Sequence, residues 1–183
     1  MIDSKQASEA LSEIDDIAHR VRQSFIYDVS SQMMIMWGAL VFAGNLVTYF
    51  TPRYADAAWM AVYVLGISGW FALGVMGYAR TRVHTFDARM LAAVLMFFAF
   101  GFFVTGVLGQ FTPRQLGTFW PLYFMLVYAL AGLWIGMAFV AIGAVITALT
   151  LVGYFFIGHE FPLWMAFVNG LGLILSGLWM RWS

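Results

Sequence analysis

Two hydrophobic patterns divide the chain. Between about residues 8 and 30, Leu11, Ile14, Ala18, Val21 and Phe25 recur at alternating steps of three and four, which puts them on one narrow stripe of a helix. Glu9, Glu13, Asp15, Asp16, His19, Arg20 and Arg22 occupy its other faces. Acids precede bases, as the helix dipole favours, and Ser8 can accept a hydrogen bond from an orphan amide at the start. From Met33 onward this periodicity gives way to near-continuous apolar runs. A bilayer core about 30 Å thick takes about 20 apolar residues per helix, and the runs 32–50, 57–79, 90–109 and 163–180 each meet that length approximately. Residues 119–157 carry no charge at all. One helix of that length would be nearly twice the membrane thickness, so a turn is expected between Gly136 and Gly143, giving six spans.

The expected fold is therefore all-α: a polytopic membrane bundle of six transmembrane helices (31–183) preceded by a soluble, acidic, amphipathic helix (1–30). The stripe is only two heptads long, too short for an independent coiled coil, so it needs a partner, the membrane surface, or continuity with the first span. With six acids against three bases up to Ser30, docking on anionic lipid is disfavoured, because such helices carry a basic polar face. The turns YFTPRYADAAW at Tyr49, GQFTPRQLGTFW at Gly109 and GHEFPLW at Gly158 resemble one another, as do SGW at Ser68, AGLW at Ala131 and SGLW at Ser176. Three helical hairpins related as repeats would explain this; so would the general frequency of Pro, Gly and Trp at membrane turns. Gly132 with Gly136, and Gly172 with Ser176, have the spacing that lets backbones approach closely in lipid, and packing inside one bundle is the expected use. Pro121 reads as a first-turn proline of the fourth span.

Composition agrees with lipid as the solvent: 63% of residues are hydrophobic and 10% charged, against about a quarter charged in soluble domains. Nine basic and nine acidic residues cancel, so the chain offers no cationic surface for nucleic acid. No cysteine is present, which removes disulfides and thiolate chemistry, and the first thirty residues lack the apolar region of a cleavable signal. With six spans and a cytoplasmic start, Lys5, Arg20, Arg22, Arg80, Arg82, Arg89 and Arg181 fall inside, and Arg53 and Arg114 outside. This charge bias predicts both termini in the cytoplasm of a cell with a bacterial inner-membrane type of bilayer.

Chemistry at depth in a membrane needs ionisable or metal-binding groups, and each is costly there. All acids, bases and histidines instead fall in the first helix, the loops or the span ends. No catalytic residue, metal site or cofactor is therefore expected, and an enzyme is the least favoured reading. His159 beside Glu160 falls short of a metal site, and His84 belongs to a charged loop. Met33, Met34 and Met36 suit apolar packing better than copper. Uncharged polar residues remain inside the spans, of which Asn45, Thr105, Tyr128 and Asn169 are the candidates for contacts to a small neutral or lipidic ligand; the ordinary role of such groups is to link helices.

Two functions compete. In the first, a non-catalytic regulatory, accessory or sensor subunit uses its N-terminal helix to contact a cytoplasmic protein or a second copy of itself, through Leu11, Ile14, Ala18, Val21 and Phe25 and the acids Glu13, Asp15 and Asp16. In the second, the bundle is a channel, facilitator or binding bundle for a small neutral or lipidic ligand. Membrane lipid is an expected partner in both, and homo-oligomerisation is compatible with both.

Overall fold

The computed structural model describes the backbone of residues 4–81 and 88–182, with side chains at 13, 27–73, 75 and 92–182. Its first element, α1 (Ser4–Phe50), is one uninterrupted helix of 47 residues, about 70 Å long at 1.5 Å per residue. The amphipathic segment and the first span are thus a single rod. Nothing in the sequence between them stops a helix: Ser30, Ser31 and Gln32 bring neither glycine nor proline. Among the described residues of α1, Tyr27–Phe50 is long and apolar enough to cross a membrane, and the charged stretch 4–26 forms a helical arm continuous with it. Because the chain lacks cysteine, nitroxide labels can be placed at two positions alone. Labels at the exposed residues Glu13 and Ala39 are expected to give one narrow distance near 39 Å by pulsed electron spin resonance. Gln23→Pro should broaden and shorten it; a broad wild-type distribution would show that the rod is not continuous.

Four further helices also have the length and apolarity to cross: Pro52–Leu73, Pro113–Ile135, Met137–Phe156 and Phe161–Trp182. The first lies mostly in α2 (Ala55–Thr81). α3 (Ala88–Phe103) continues as a wide π turn, Val104–Leu108, and its apolar part, Ala92–Leu108, is shorter than the others. α4 (Pro113–Ile135) and α5 (Met137–Phe156) are separated only by Gly136, at the near end of the interval expected for that turn. α6 (Phe161–Trp182) contains a second π turn, Ala166–Leu171. The described residues form a helical bundle without strands.

Three prolines begin the return helices. Pro52 opens a short 3-10 turn leading into α2, Pro113 opens α4 and Pro162 opens α6, positions where the missing N–H has no intrahelical acceptor to lose. The turns are nevertheless chemically different. Thr112 accepts from the Gln115 amide while the Gln115 side chain accepts from the Thr112 amide at 2.8 Å, a complete capping box. Thr51, in the same Thr-Pro-Arg context, donates instead to the Val47 carbonyl of the helix that is ending. The capping box starts α4 six residues before the uncharged run. Pro121 consequently lies inside α4, not in its first turn; the expectation failed because the apolar run was taken as the start of the helix.

Neighbouring helices follow the order α2, α1, α6, α5, α4, with the closest packing between α4 and α5 and between α1 and α6. The core sits among α1, α4, α5 and α6: Met34, Met125, Phe139, Ile142, Ile146, Val168, Leu173 and Met180 form one buried cluster. Small residues permit the closest approaches. A Cβ on Gly38 would stand 2.7 Å from the Gly170 carbonyl oxygen, and one on Gly170 would stand 2.6 Å from the Phe42 Cα. Ser31, fully buried, donates to the Gly177 carbonyl at 2.7 Å and fastens the same pair of helices. Gly132 packs against Val140 across the α4–α5 turn, as expected for a contact within the bundle. Gly172 does not: a Cβ there would meet nothing nearer than 3.8 Å.

α3 is attached by rings. Phe97 stacks on Tyr123 of α4 with centroids 4.1 Å apart and planes 5° from parallel, and the Tyr123 hydroxyl donates to the Phe97 carbonyl at 3.1 Å. Phe98 and Phe102 lie against Trp120. Such pairs add about 0.5–1.5 kcal/mol each beyond burial. Met60, Val64 and Val75 on α2 and Met96, Phe100 and Val107 on α3 are exposed, the condition of side chains that face lipid.

Candidate functional site

The four intramembrane polar candidates occupy different helices. Asn45, buried in α1, donates from Nδ2 to the Val41 carbonyl one turn back, at 2.9 Å. Thr105, in the π turn that ends α3, donates to the Gly101 carbonyl at 2.9 Å. Tyr128 of α4 packs with its ring 6.0 Å from that of Phe139. Asn169, almost fully buried in the π turn of α6, donates to the Thr150 hydroxyl of α5 at 3.3 Å, and Thr150 has no exposed surface. Among the described hydrogen bonds none links one of these four residues to another. Asn45 and Thr105 spend donors on their own helices; Asn169 ties α5 to α6, as polar groups commonly do in lipid. Thr48 does the same for α1 and α2, donating to Gly44 while accepting from Trp59 Nε1 at 3.1 Å.

Among the described residues, the most heavily bonded charged group is Arg114, whose sequence position marks it only as an outside charge. It stands in the first turn of α4, where the capping box of Thr112 directs it toward the end of α5. Its guanidinium donates to the carbonyls of Gly153 (3.2 Å), Tyr154 (2.6 Å), Ile157 and Gly158 (3.3 Å). The Gly153 carbonyl also accepts from the Ile157 amide at 3.1 Å and the Gly158 carbonyl from the Phe161 amide at 3.2 Å, so the guanidinium adds a second donor to each, at the end of α5 where the helix dipole is negative. The same guanidinium lies 4.9 Å from the centroid of the Phe161 ring and 5.6 Å from that of Tyr154. One side chain thus joins the beginnings of α4 and α6 to the end of α5. The legible signal was the sequence Thr-Pro-Arg-Gln, a capping box that fixes Arg114 at the second helical position.

His159 and Glu160 follow directly in the α5–α6 turn. His159 Nδ1 is 3.6 Å from Glu160 Oε1 and both side chains are exposed; the Tyr49 ring of α1 is 6.1 Å from the imidazole. Among the described residues, no three of His, Cys, Asp and Glu are grouped in a way that could hold a metal ion.

At the other end of the molecule is the arm of α1. Its backbone is helical throughout residues 4–26, and Glu13 is exposed. The side chains of Leu11, Ile14, Asp15, Asp16, Ala18, Val21 and Phe25, which complete the expected partner surface, lie outside the described ones. Comparison with known proteins gives no match: no family model, no curated protein and no solved structure is similar to this chain.

Proposed function

We propose that this protein is a non-catalytic accessory or sensor subunit of the plasma membrane whose N-terminal arm engages a cytoplasmic protein or a second copy of itself. The observation that carries this reading is the continuity of α1. The helix that bears the acidic, striped arm also packs against α2 and α6, so a force or a binding event at the arm acts on the centre of the bundle without an intervening hinge. Both termini are assigned to the cytoplasm on the charge bias of the loops.

The distribution of polar groups favours this role over a conduit. Asn45 and Thr105 bond to their own helices, Ser31, Tyr123 and Asn169 bond to neighbouring ones, and a groove between α5 and α6 is walled almost entirely by apolar side chains. A pore for a neutral solute would need such groups turned toward a common path.

The test is charge reversal at Glu13, Asp15 and Asp16 together. Cross-linking in intact cells from a photoreactive residue at position 12 is expected to trap one dominant species, a defined protein or a dimer of this chain. That product should fall at least tenfold in the triple variant, while the bundle keeps its detergent melting temperature. Undiminished cross-linking would remove the arm as the contact. Uptake of neutral solutes by proteoliposomes above the protein-free background would favour the conduit instead.

A further inference from the structure

Inside the bundle α1 has three sides. α6 covers the side carrying Ser31, Met34, Gly38 and Phe42. α2 covers the side carrying Trp37, Gly44 and Thr48, which meet Gly66, Val62 and Trp59. The third side is open: Asp28, Ala39, Ala43 and Phe50 are all exposed, and at about 100° per residue the four positions fall within about 60° of one another. Counted by the same angle along the sequence, the positions of Leu11, Ile14, Ala18, Val21 and Phe25 span about 80°, centred about 30° from the middle of that open side. Because α1 runs from Ser4 to Phe50 without a break, the stripe of the arm and the open side of the bundle form one seam. We propose that this seam is the contact between two parallel copies of the chain, arm to arm in water and α1 to α1 in the bilayer. The proposal rests on the reading of the arm as a contact surface and names its occupant.

A second copy is selected first by solvent. An apolar face needs no protein partner in lipid, but in water it does. A soluble protein would cover the stripe and stop at the membrane, and a lipid-embedded one would cover Ala39 to Phe50 and stop at the interface. The complement of the whole seam is a helix that is amphipathic for about 20 residues and then apolar, which is the pattern of α1 itself. Area gives the same answer. From Leu11 to Phe50 the seam is about 58 Å long, and a strip about 10 Å wide, the diameter of a helix, covers about 600 Å² per chain. Two copies together bury about 1,200 Å², the lower bound for a stable, specific interface. Residues 11–25 alone would supply about 200 Å² per chain and residues 28–50 about 330 Å², so neither half suffices without the other.

Local chemistry on the seam agrees. Ala39 and Ala43 have the four-residue spacing that lets helices approach closely in lipid, and both are left exposed by the chain's own helices. Where the seam enters the bilayer, Gln32 Nε2 donates to Asp28 Oδ2 at 3.1 Å. A carboxamide has two N–H donors, so the second can reach Asp28 of the second copy and offset the repulsion between the two carboxylates. A polar pair on an otherwise apolar seam fixes orientation and register.

The chain has no cysteine, so single cysteines in the full-length protein report the contact directly. In isolated membranes under oxidation, Ala39→Cys and Ala43→Cys are each expected to form a disulfide-linked dimer at least fivefold more than Met60→Cys or Leu126→Cys, which are exposed on α2 and α4. Ala43→Trp, which adds bulk on the open side and leaves the contacts to α2 and α6 in place, should lower the Ala39→Cys product at least fivefold. Gln23→Pro, which interrupts α1 between arm and span, should lower it as much, because the seam is then divided. Equal yields at the seam and control positions, or a yield that neither variant reduces, would overturn the proposal. Absence of a dimer at positions 39 and 43 while position 12 captures a different protein would overturn it and leave the arm as a contact surface; no product at any of the three positions would remove both.

Discussion

Gly170→Leu is expected to separate α1 from α6 and to cost about 3 kcal/mol or more. The reason is that the atoms in the way belong to the backbone. A Cβ at Gly170 would lie 2.6 Å from the Phe42 Cα and 2.8 Å from its nitrogen, and the reciprocal position, Gly38, already meets the Gly170 carbonyl. A side chain can rotate away; two main chains in contact must move apart as helices. That displacement would also pull Ser31 from the Gly177 carbonyl, leaving buried polar groups unpaired at a cost of about 1–3 kcal/mol. Gly172→Ala provides the matched comparison on the same helix, since its new methyl would touch nothing inside 3.8 Å; a change below about 0.5 kcal/mol is expected there. Unfolding in mixed micelles of increasing dodecyl sulfate content measures both. If Gly170→Leu unfolded within about 1 kcal/mol of wild type, the close approach of α1 and α6 would be refuted.

Arg114→Ala should be nearly as damaging, about 2–3 kcal/mol. A charge-assisted hydrogen bond is worth about 1.5–3 kcal/mol. The full value of several such bonds does not accumulate here, because Arg114 is half-exposed and water can reach part of what it leaves. Arg114→Lys is expected to restore less than half of the loss. A lysine ammonium is a point charge on a flexible stem and lacks the planar fork that reaches several carbonyls and stacks on rings. The effect should also be local: amide exchange should rise in residues 157–161, where the end of α5 and the start of α6 lose their common anchor, before it rises in the α1–α6 contact. Exchange that rises uniformly, or not at all, would mean that the guanidinium is not the element joining these helices.

How much of this was legible in the sequence differs from one region to another for physical reasons. Lipid is an undemanding reader of length, so long apolar runs bounded by Pro, Gly and charges located five of the six expected spans and the turn at Gly136, while the run 90–109 gives only the shorter apolar helix Ala92–Leu108. Helix beginnings were harder where they precede the apolar run. Thr112 and Gln115 complete a capping box that starts the helix at Pro113, six residues ahead of Phe119, and overlooking it misplaced Pro121. Arg114 was missed for the same reason and for a second one: its acceptors are main-chain carbonyls 39 to 44 residues away, and carbonyls carry no sequence signature. The polar candidates show a third limit. Asn45 and Asn169 look equivalent as letters, yet one turns back on its own helix and the other bridges to Thr150. Which occurs depends on what the neighbouring helix presents. The uninterrupted passage from arm to span was legible as a lack of helix-breaking residues, although the change in pattern near residue 30 invited a boundary.

A rod of this kind is a lever. Residues 4–26 extend about 35 Å past the membrane-crossing part of α1. Transmembrane helices take tilts between about 0 and 40°, so reorienting the first span by only about 10° would swing the far tip of the arm through roughly 6 Å, more than one helical turn. Small displacements among the packed helices, too slight to open a path through the bundle, would be magnified at the tip into a change of register or orientation for whatever is held there.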